Sequence, residues 1–193
     1  MVVVLPGSRK GEAARHLPAL VDAVDRLYRE QAVNVVLPAS STTGASFFEE
    51  RIGRAPIRVT EGESWDAMAH ADVALAASGT VTVEAALLGT PMVTFYKVTL
   101  PSWVAGKLLV RVPFYSMVNL IAGRRVVPEL MQGAMTGEAI AREARKLLTD
   151  ERARAEMKSG LAEVARKLAG REPIAEAASI VQEVLEGQVA HVS

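Results

Sequence analysis

The chain has 193 residues, half of them hydrophobic and 23% charged, which suits one well-cored globular domain and excludes a disordered chain. Lys plus Arg and Asp plus Glu stand at 22 each, so no global field gathers nucleic acid or an anionic membrane, and any basic function has to be local. Cysteine is absent, which excludes disulfides, thiolate metal sites and a Cys nucleophile and agrees with a reducing compartment.

Residues 2–5, an apolar run led by three valines, predict a strand buried on both faces, and Pro6-Gly7-Ser8-Arg9-Lys10-Gly11 ends it. That run is too short for a signal peptide, and no later stretch reaches membrane-spanning length without a charge or a breaker, so a soluble chain is expected. From about residue 12 to 30, Leu17, Leu20, Val21, Val24, Leu27 and Tyr28 recur at helical spacing. Residues 33–37 read as the second strand, followed by a polar turn at 40–44 and a helix carrying Phe47, Phe48 and Ile52. A short strand is expected at 57–59, a helix at 64–70 and a further strand at 73–76. A Ser78-Gly79-Thr80 turn then opens a helix that stops at Gly89-Thr90-Pro91 and hands over to a strand at 92–96.

Past Tyr96 the pattern turns helical. A helix is expected at 101–110, a loop at 113–119 leading into Leu120-Ile121-Ala122-Gly123, and helices over 136–148, 151–168 and 173–185. Thr136 and either Thr149 or Asp150 are candidate caps, and Pro173 suits a first helical position. Strands alternating with helices predict a parallel α/β sheet wound right-handedly with helices on both faces. The expectation is a single domain over 1–193, with a helical C-terminal region from about residue 136.

Ligands of such sheets bind at the carboxyl ends of the strands, where both glycine-containing turns, 6–11 and 78–80, are expected to face one cleft. Each turn opens a helix, whose unpaired amides and partial positive charge attract phosphate. Around Gly7 the first turn offers backbone amides, the Ser8 hydroxyl and the planar fork of Arg9, which matches phosphate oxygens two at a time. Glu84 shares a face with Thr80 and leans back toward the second turn, where it either reaches a ribose hydroxyl or complements the helix dipole. Glu12, three residues after Arg9, either orients the guanidinium or caps the helix. Asn119 is either an N-cap or an amide facing a diphosphate or base. Glu129, in an apparent helix start at Pro128-Glu129-Leu130-Met131-Gln132, either accepts from a sugar hydroxyl or pairs with a dipole.

Arg124 and Arg125 read as solvated cations. Trp103, Val104, Leu108, Leu109 and Val110, edged by Lys107 and Arg111, suit a buried helix or a contact with a membrane or a lipid-bearing substrate. His16, His70 and His191 have no ligand spacing, so no metal site is expected. G-x-G-x-x-G, P-loop and Gly-x-Ser-x-Gly patterns are missing. No Asp-x-Asp pair is present either, which favours neutralising a diphosphate by amides and Arg over metal chelation.

Four blocks follow one another in order: Leu5-Pro6-Gly7-Ser8-Arg9 with Glu12, Ala77-Ser78-Gly79-Thr80 with Glu84-Ala85-Ala86-Leu87, Gly89-Thr90-Pro91-Met92-Val93, and Asn119-Leu120-Ile121-Ala122-Gly123 with Val127-Pro128-Glu129-Leu130. This ordered set, covering nearly the whole chain, resembles the lipid-A-disaccharide synthases, family 19 glycosyltransferases of the GT-B fold. The resemblance implies the Rossmann-like C-terminal half, which in that family holds the UDP of UDP-2,3-diacylglucosamine. The acceptor, lipid X, and the proposed catalytic base belong to the N-terminal half. By the same resemblance Arg9, Ser78, Gly79, Thr80, Glu84 and Asn119 would contact UDP, with Gly7, Ser8 and Glu129 completing the donor site, and no cofactor or metal is called for. Val118 stands where many members carry Pro.

The implied reaction transfers diacylglucosamine to lipid X, forms a β-1,6-linked disaccharide 1-phosphate and releases UDP. This chain alone is expected to bind UDP weakly and to turn over poorly or not at all. Its implied setting is the cytoplasm of a Gram-negative bacterium, including the inner face of the inner membrane, without a nucleic-acid partner; peripheral membrane contact and homo-oligomer formation stay open. Two other readings stand beside this one: the donor half of a UDP-N-acetylglucosamine transferase or 2-epimerase, which lacks the Asn119 and Pro128-Glu129 block, and a non-catalytic nucleotide-binding module.

Overall fold

A computed structural model describes residues 1–99, 112–169 and 173–185. Its strands are β1 (Val2–Leu5), β2 (Val35–Ala39), β3 (Arg58–Glu61), β4 (Val73–Ala77), β5 (Met92–Tyr96) and β6 (Glu129–Met131). All pair in parallel, in the order β3-β2-β1-β4-β5-β6. The helices are α1 (Lys10–Glu30), α2 (Ala45–Ile52), α3 (Ser64–Ala69), α4 (Thr80–Leu87), α5 (Met117–Ala122), α6 (Gly137–Thr149), α7 (Glu151–Ala169) and α8 (Pro173–Leu185).

Composition explains the centre of the sheet. Every residue of β1 and β4 is buried, as strands covered by helices on both faces require, and the alanines at 74, 76 and 77 leave room for those helices. On α1 the buried stripe runs Ala13, His16, Leu17, Leu20, Ala23, Val24 and Leu27, facing Ile140, Ala141, Ala144 and Leu147 of α6. Each large side chain of that seam contributes about 1.5–3 kcal/mol by leaving water. Thr136 Oγ1 accepts from Ala139 N at 3.1 Å and Asp150 Oδ1 from Ala153 N at 3.0 Å, so α6 and α7 start at side-chain caps read from the sequence.

Three elements differ from expectation. The second strand lies two residues later, at Val35–Ala39, and includes Pro38. Its ladder with β1 is limited to Val2↔Val35 and Val3↔Val36, while the ladder with β3 continues to Ala39↔Glu61, so Pro38 sits where no β1 partner needs its missing N–H. Pro128-Glu129 opens an edge strand, not a helix: Pro128 O accepts from Thr94 N at 3.0 Å and from Thr94 Oγ1 at 2.7 Å. A proline needs no donor at a strand start either, and Leu130 is buried there. Asn119 lies inside α5 and does not cap it. The helix expected at 101–110, with its Trp103 and Lys107, lies outside the described residues, as does His191. No described helix is long and apolar enough to cross a membrane.

Candidate functional site

The chain runs from β1 outward to β2 and β3, then returns to place β4 on the other side of β1. Loops after β1 and β4 therefore leave the sheet in opposite directions and open a crevice at the carboxyl ends of the strands. A cavity of about 430 Å³ occupies it, within the ordinary range for small-molecule sites. Gly7, Ser8, Arg9 and Glu12 line one wall, and Ser78, Gly79, Thr80 and Glu84 line another. Pro38, Ala39 and Ser40, past the end of the β1–β2 ladder, line its far wall together with Gly62 and Ser64.

Two helix starts converge on this space. Arg9 is the N-cap of α1 and Gly79 that of α4, and neither cap uses a side chain, so the first-turn amides keep their demand for an acceptor. The amides of Thr80 and Val81 have no acceptor among the described residues, whereas Thr82 N bonds Gly79 O at 3.1 Å. The Arg9 side chain is exposed and in no ion pair among the described residues. Gly7 has φ +114°, and a Cβ there would lie 2.8 Å from Glu12 Cδ, so this turn takes its shape only with glycine. Burial pushes the Glu12 carboxyl up, against the opposite pull of Arg9 and Arg15.

Ser78 contributes differently. Its N–H donates to Phe95 O at 2.8 Å and its hydroxyl to Tyr115 O at 3.0 Å, so both donors are spent on shaping the turn. Tyr115 in turn belongs to a network around one carboxylate oxygen. Glu129 Oε1 accepts from Tyr115 N at 3.1 Å, Ser116 N at 2.7 Å and Asn119 Nδ2 at 2.9 Å. Asn119 is fully buried: Nδ2 also donates to Val127 O at 2.9 Å, and Oδ1 accepts from Val126 N at 2.7 Å and Val127 N at 3.0 Å. Its amide is committed to the protein on every side.

Residues 1–184 match the family model described as lipid-A-disaccharide synthetase. The chain belongs to this family. It is 75% identical over 194 residues to the lipid-A-disaccharide synthase of Solibacter usitatus (strain Ellin6076), with all of this chain and 51% of that protein aligned. With the lipid-A-disaccharide synthase of Myxococcus xanthus (strain DK1622) the identity is 42% over 188 residues, covering 95% of this chain and 49% of the other. The chain spans about half the length of these curated relatives. Among solved structures, the spinosyn rhamnosyltransferase SpnG complexed with thymidine diphosphate matches with a TM-score of 0.61 at 16% identity, over 93% of this chain and 44% of that one. The calicheamicin glycosyltransferase CalG4 matches with a TM-score of 0.56 at 17% identity, over 98% and 43%. These likenesses agree with a GT-B glycosyltransferase fold.

The family's blocks thus divide by position. Gly7, Ser8, Arg9, Ser78, Gly79, Thr80 and Glu84 share the cavity, while Asn119 and Glu129 stand behind it and reach it through Tyr115 and Ser78. Arg124, read as solvated, pairs with Glu163 at 2.8 Å, and that bond, joined by Lys167, holds the Glu163 carboxyl below its usual range.

Sequence reasoning passed over His16. The side chain is fully buried, edge-on to Phe95 with ring centroids 5.3 Å apart. Pro6 O can only accept and Lys97 N–H can only donate, so Nδ1 carries the proton at 2.8 Å from the first and Nε2 is bare at 3.0 Å from the second. The imidazole therefore ties the first turn to the chain leaving β5. Burial lowers its pKa, as do the nearby charges of Arg15 and Lys97. The available signal was a polar residue on the buried stripe, one turn before Leu20, which demands partners.

Proposed function

We propose that this chain is the donor-binding half of a lipid-A-disaccharide synthase, forming one nucleotide-sugar domain over 1–193 that holds the UDP of UDP-2,3-diacylglucosamine. The single observation that carries the reading is the meeting of two helix starts and Arg9 at one cavity, in a chain of this family. The diphosphate would lie between the turns, receiving the amides of Gly79, Thr80 and Val81 and the hydroxyls of Ser8 and Thr80. Arg9 would close on it from the exposed side. The SpnG neighbour is likewise complexed with a nucleoside diphosphate, thymidine diphosphate.

Sugar transfer to lipid X builds negative charge on the departing diphosphate. Donors fixed in advance favour that charge more than they favour the bound donor, which lowers the barrier to transfer. Glu84 would accept from a ribose hydroxyl. Ser78, Asn119 and Glu129 would act by holding the second turn in place. The acceptor site and the catalytic base are assigned to the part of the relatives that this chain does not span, with the reaction set at the inner face of a bacterial inner membrane.

Calorimetric titration with UDP tests the site. Arg9→Ala should weaken binding by about 1.5–3 kcal/mol, as expected for a charge-assisted hydrogen bond. UDP affinity equal in the two proteins would remove Arg9 from the site.

A further inference from the structure

Glu12 stands apart from the other polar side chains of the cavity. Its carboxyl folds under the first turn, with Oε2 3.1 Å from where a Cβ on Gly7 would sit, and it lines the same wall as Arg9. Among the described residues no hydrogen bond or ion pair satisfies this carboxyl, so it neither caps α1 nor pairs with Arg9. The charged and titratable groups around it are Arg9 and Arg15 at the start of α1, Glu84 across the cleft on α4, and Tyr96 at the end of β5 followed by Lys97. Against both guanidinium fields, burial still holds the carboxyl above the ordinary carboxylate range.

An anion arriving between the turns brings like charge to a carboxylate that has no donor of its own. Ionised, Glu12 would repel a diphosphate at close range; protonated, it adds a hydrogen-bond donor beside those of Ser8 and Arg9 on the same wall. We propose that nucleoside diphosphate binding at this cleft takes up one proton, carried on the Glu12 carboxyl, which donates to a diphosphate oxygen. This rests on the cleft being the UDP site. The proton comes from solvent, an O–H bond forms on Glu12, and no bond of the nucleotide changes. Release of UDP returns the proton. Because the bound ligand raises the affinity of Glu12 for its proton, the proton raises the affinity for the ligand by the same factor. Binding is then strongest below the carboxyl's free-state pKa and weakens as pH rises toward its bound-state value.

The test is calorimetry of the full 193-residue chain with UDP, in buffers of small and of large ionisation enthalpy, repeated with Glu12→Gln. The terminal phosphate of UDP itself titrates at about pH 6, equally in both titrations, so the difference between the proteins isolates Glu12. Wild type should take up as much as one proton more than the variant. The ratio of variant to wild-type affinity should climb with pH, by up to about tenfold per unit, and then level off. The variant keeps a neutral donor of the same shape, so loss of packing cannot mimic that pH profile, and wild type titrated with UDP-N-acetylglucosamine, a diester that does not titrate there, gives the uptake without any substitution. Equal proton uptake by the two proteins, both binding UDP, overturns the inference, as it would if Glu12 accepted from a sugar hydroxyl. UDP bound by neither protein overturns the cleft assignment as well.

Discussion

Replacing His16 by leucine should cost this protein much of its stability while leaving its apolar volume nearly intact. Two backbone groups lose their partner, Pro6 O and Lys97 N, which the imidazole holds at 2.8 and 3.0 Å. An orphaned buried polar group costs about 1–3 kcal/mol, which falls in full on Pro6 O and only in part on Lys97 N, whose bond is part-buried, so the pair sets a loss of about 1–4 kcal/mol. For a chain of this size each kcal/mol moves Tm by about 2–4 °C, so the melting point should drop by at least ~2 °C. Urea unfolding near pH 7.5, followed by circular dichroism, measures the free energy directly. The dependence on pH gives a second handle. Burial depresses the pKa of folded His16 below its ordinary 6.5, so its neutral form contributes stability that is complete above about that pH. The contribution is lost as pH falls through the folded value. The gap between wild type and His16→Leu should therefore shrink in acid. A variant within about 0.5 kcal/mol of wild type at pH 7.5, or a gap unchanged down to about pH 5, would refute the assignment of His16 as a neutral clamp.

Gly7→Ala should weaken UDP binding by about fivefold or more, because its φ of +114° strains any side chain by about 1–3 kcal/mol and the new Cβ meets Glu12. Unaltered UDP titration would show that the turn does not shape the site. Removing the ribose hydroxyls of UDP should cost wild type about 1.5–3 kcal/mol of affinity, and Glu84→Gln should narrow that discrimination; identical discrimination in the two proteins would leave Glu84 with its dipole role alone.

The fold was legible because its determinants are local. The valines of β1 and the alanines of β4 announce strands buried on both faces, and Gly7 and Gly79 mark the bends that follow them. Where two local signals coincide, the sequence misleads. Pro128-Glu129 suits a helix start and an edge strand equally well, and only pairing with Thr94 decides between them. Pro38 argues against an interior strand until β1 is seen to part from β2. Within the site, the placing of Arg9 and Glu84 at the cleft was legible because Arg9 stands at one helix start and Glu84 follows the other by one turn. The far wall of Ala39, Ser40, Gly62 and Ser64 was not, since it forms where two strands separate. Asn119 was readable as an amide near the site, but its partners at Val126, Val127 and Glu129 depend on the path of the chain after α5.

The hydroxyl of Ser78 is gripped by a carbonyl 37 positions further along the chain, and that carbonyl's own anchor, Glu129, lies later still. A ribosome has already delivered both glycine bends by residue 80, yet the second stays without its brace until the last strand has emerged. Full affinity at the proposed nucleotide site would thus be a property of the finished sheet. A fragment trimmed to the two bend-and-helix units would keep the residues proposed to meet the diphosphate and still lack the support that aims one of the bends.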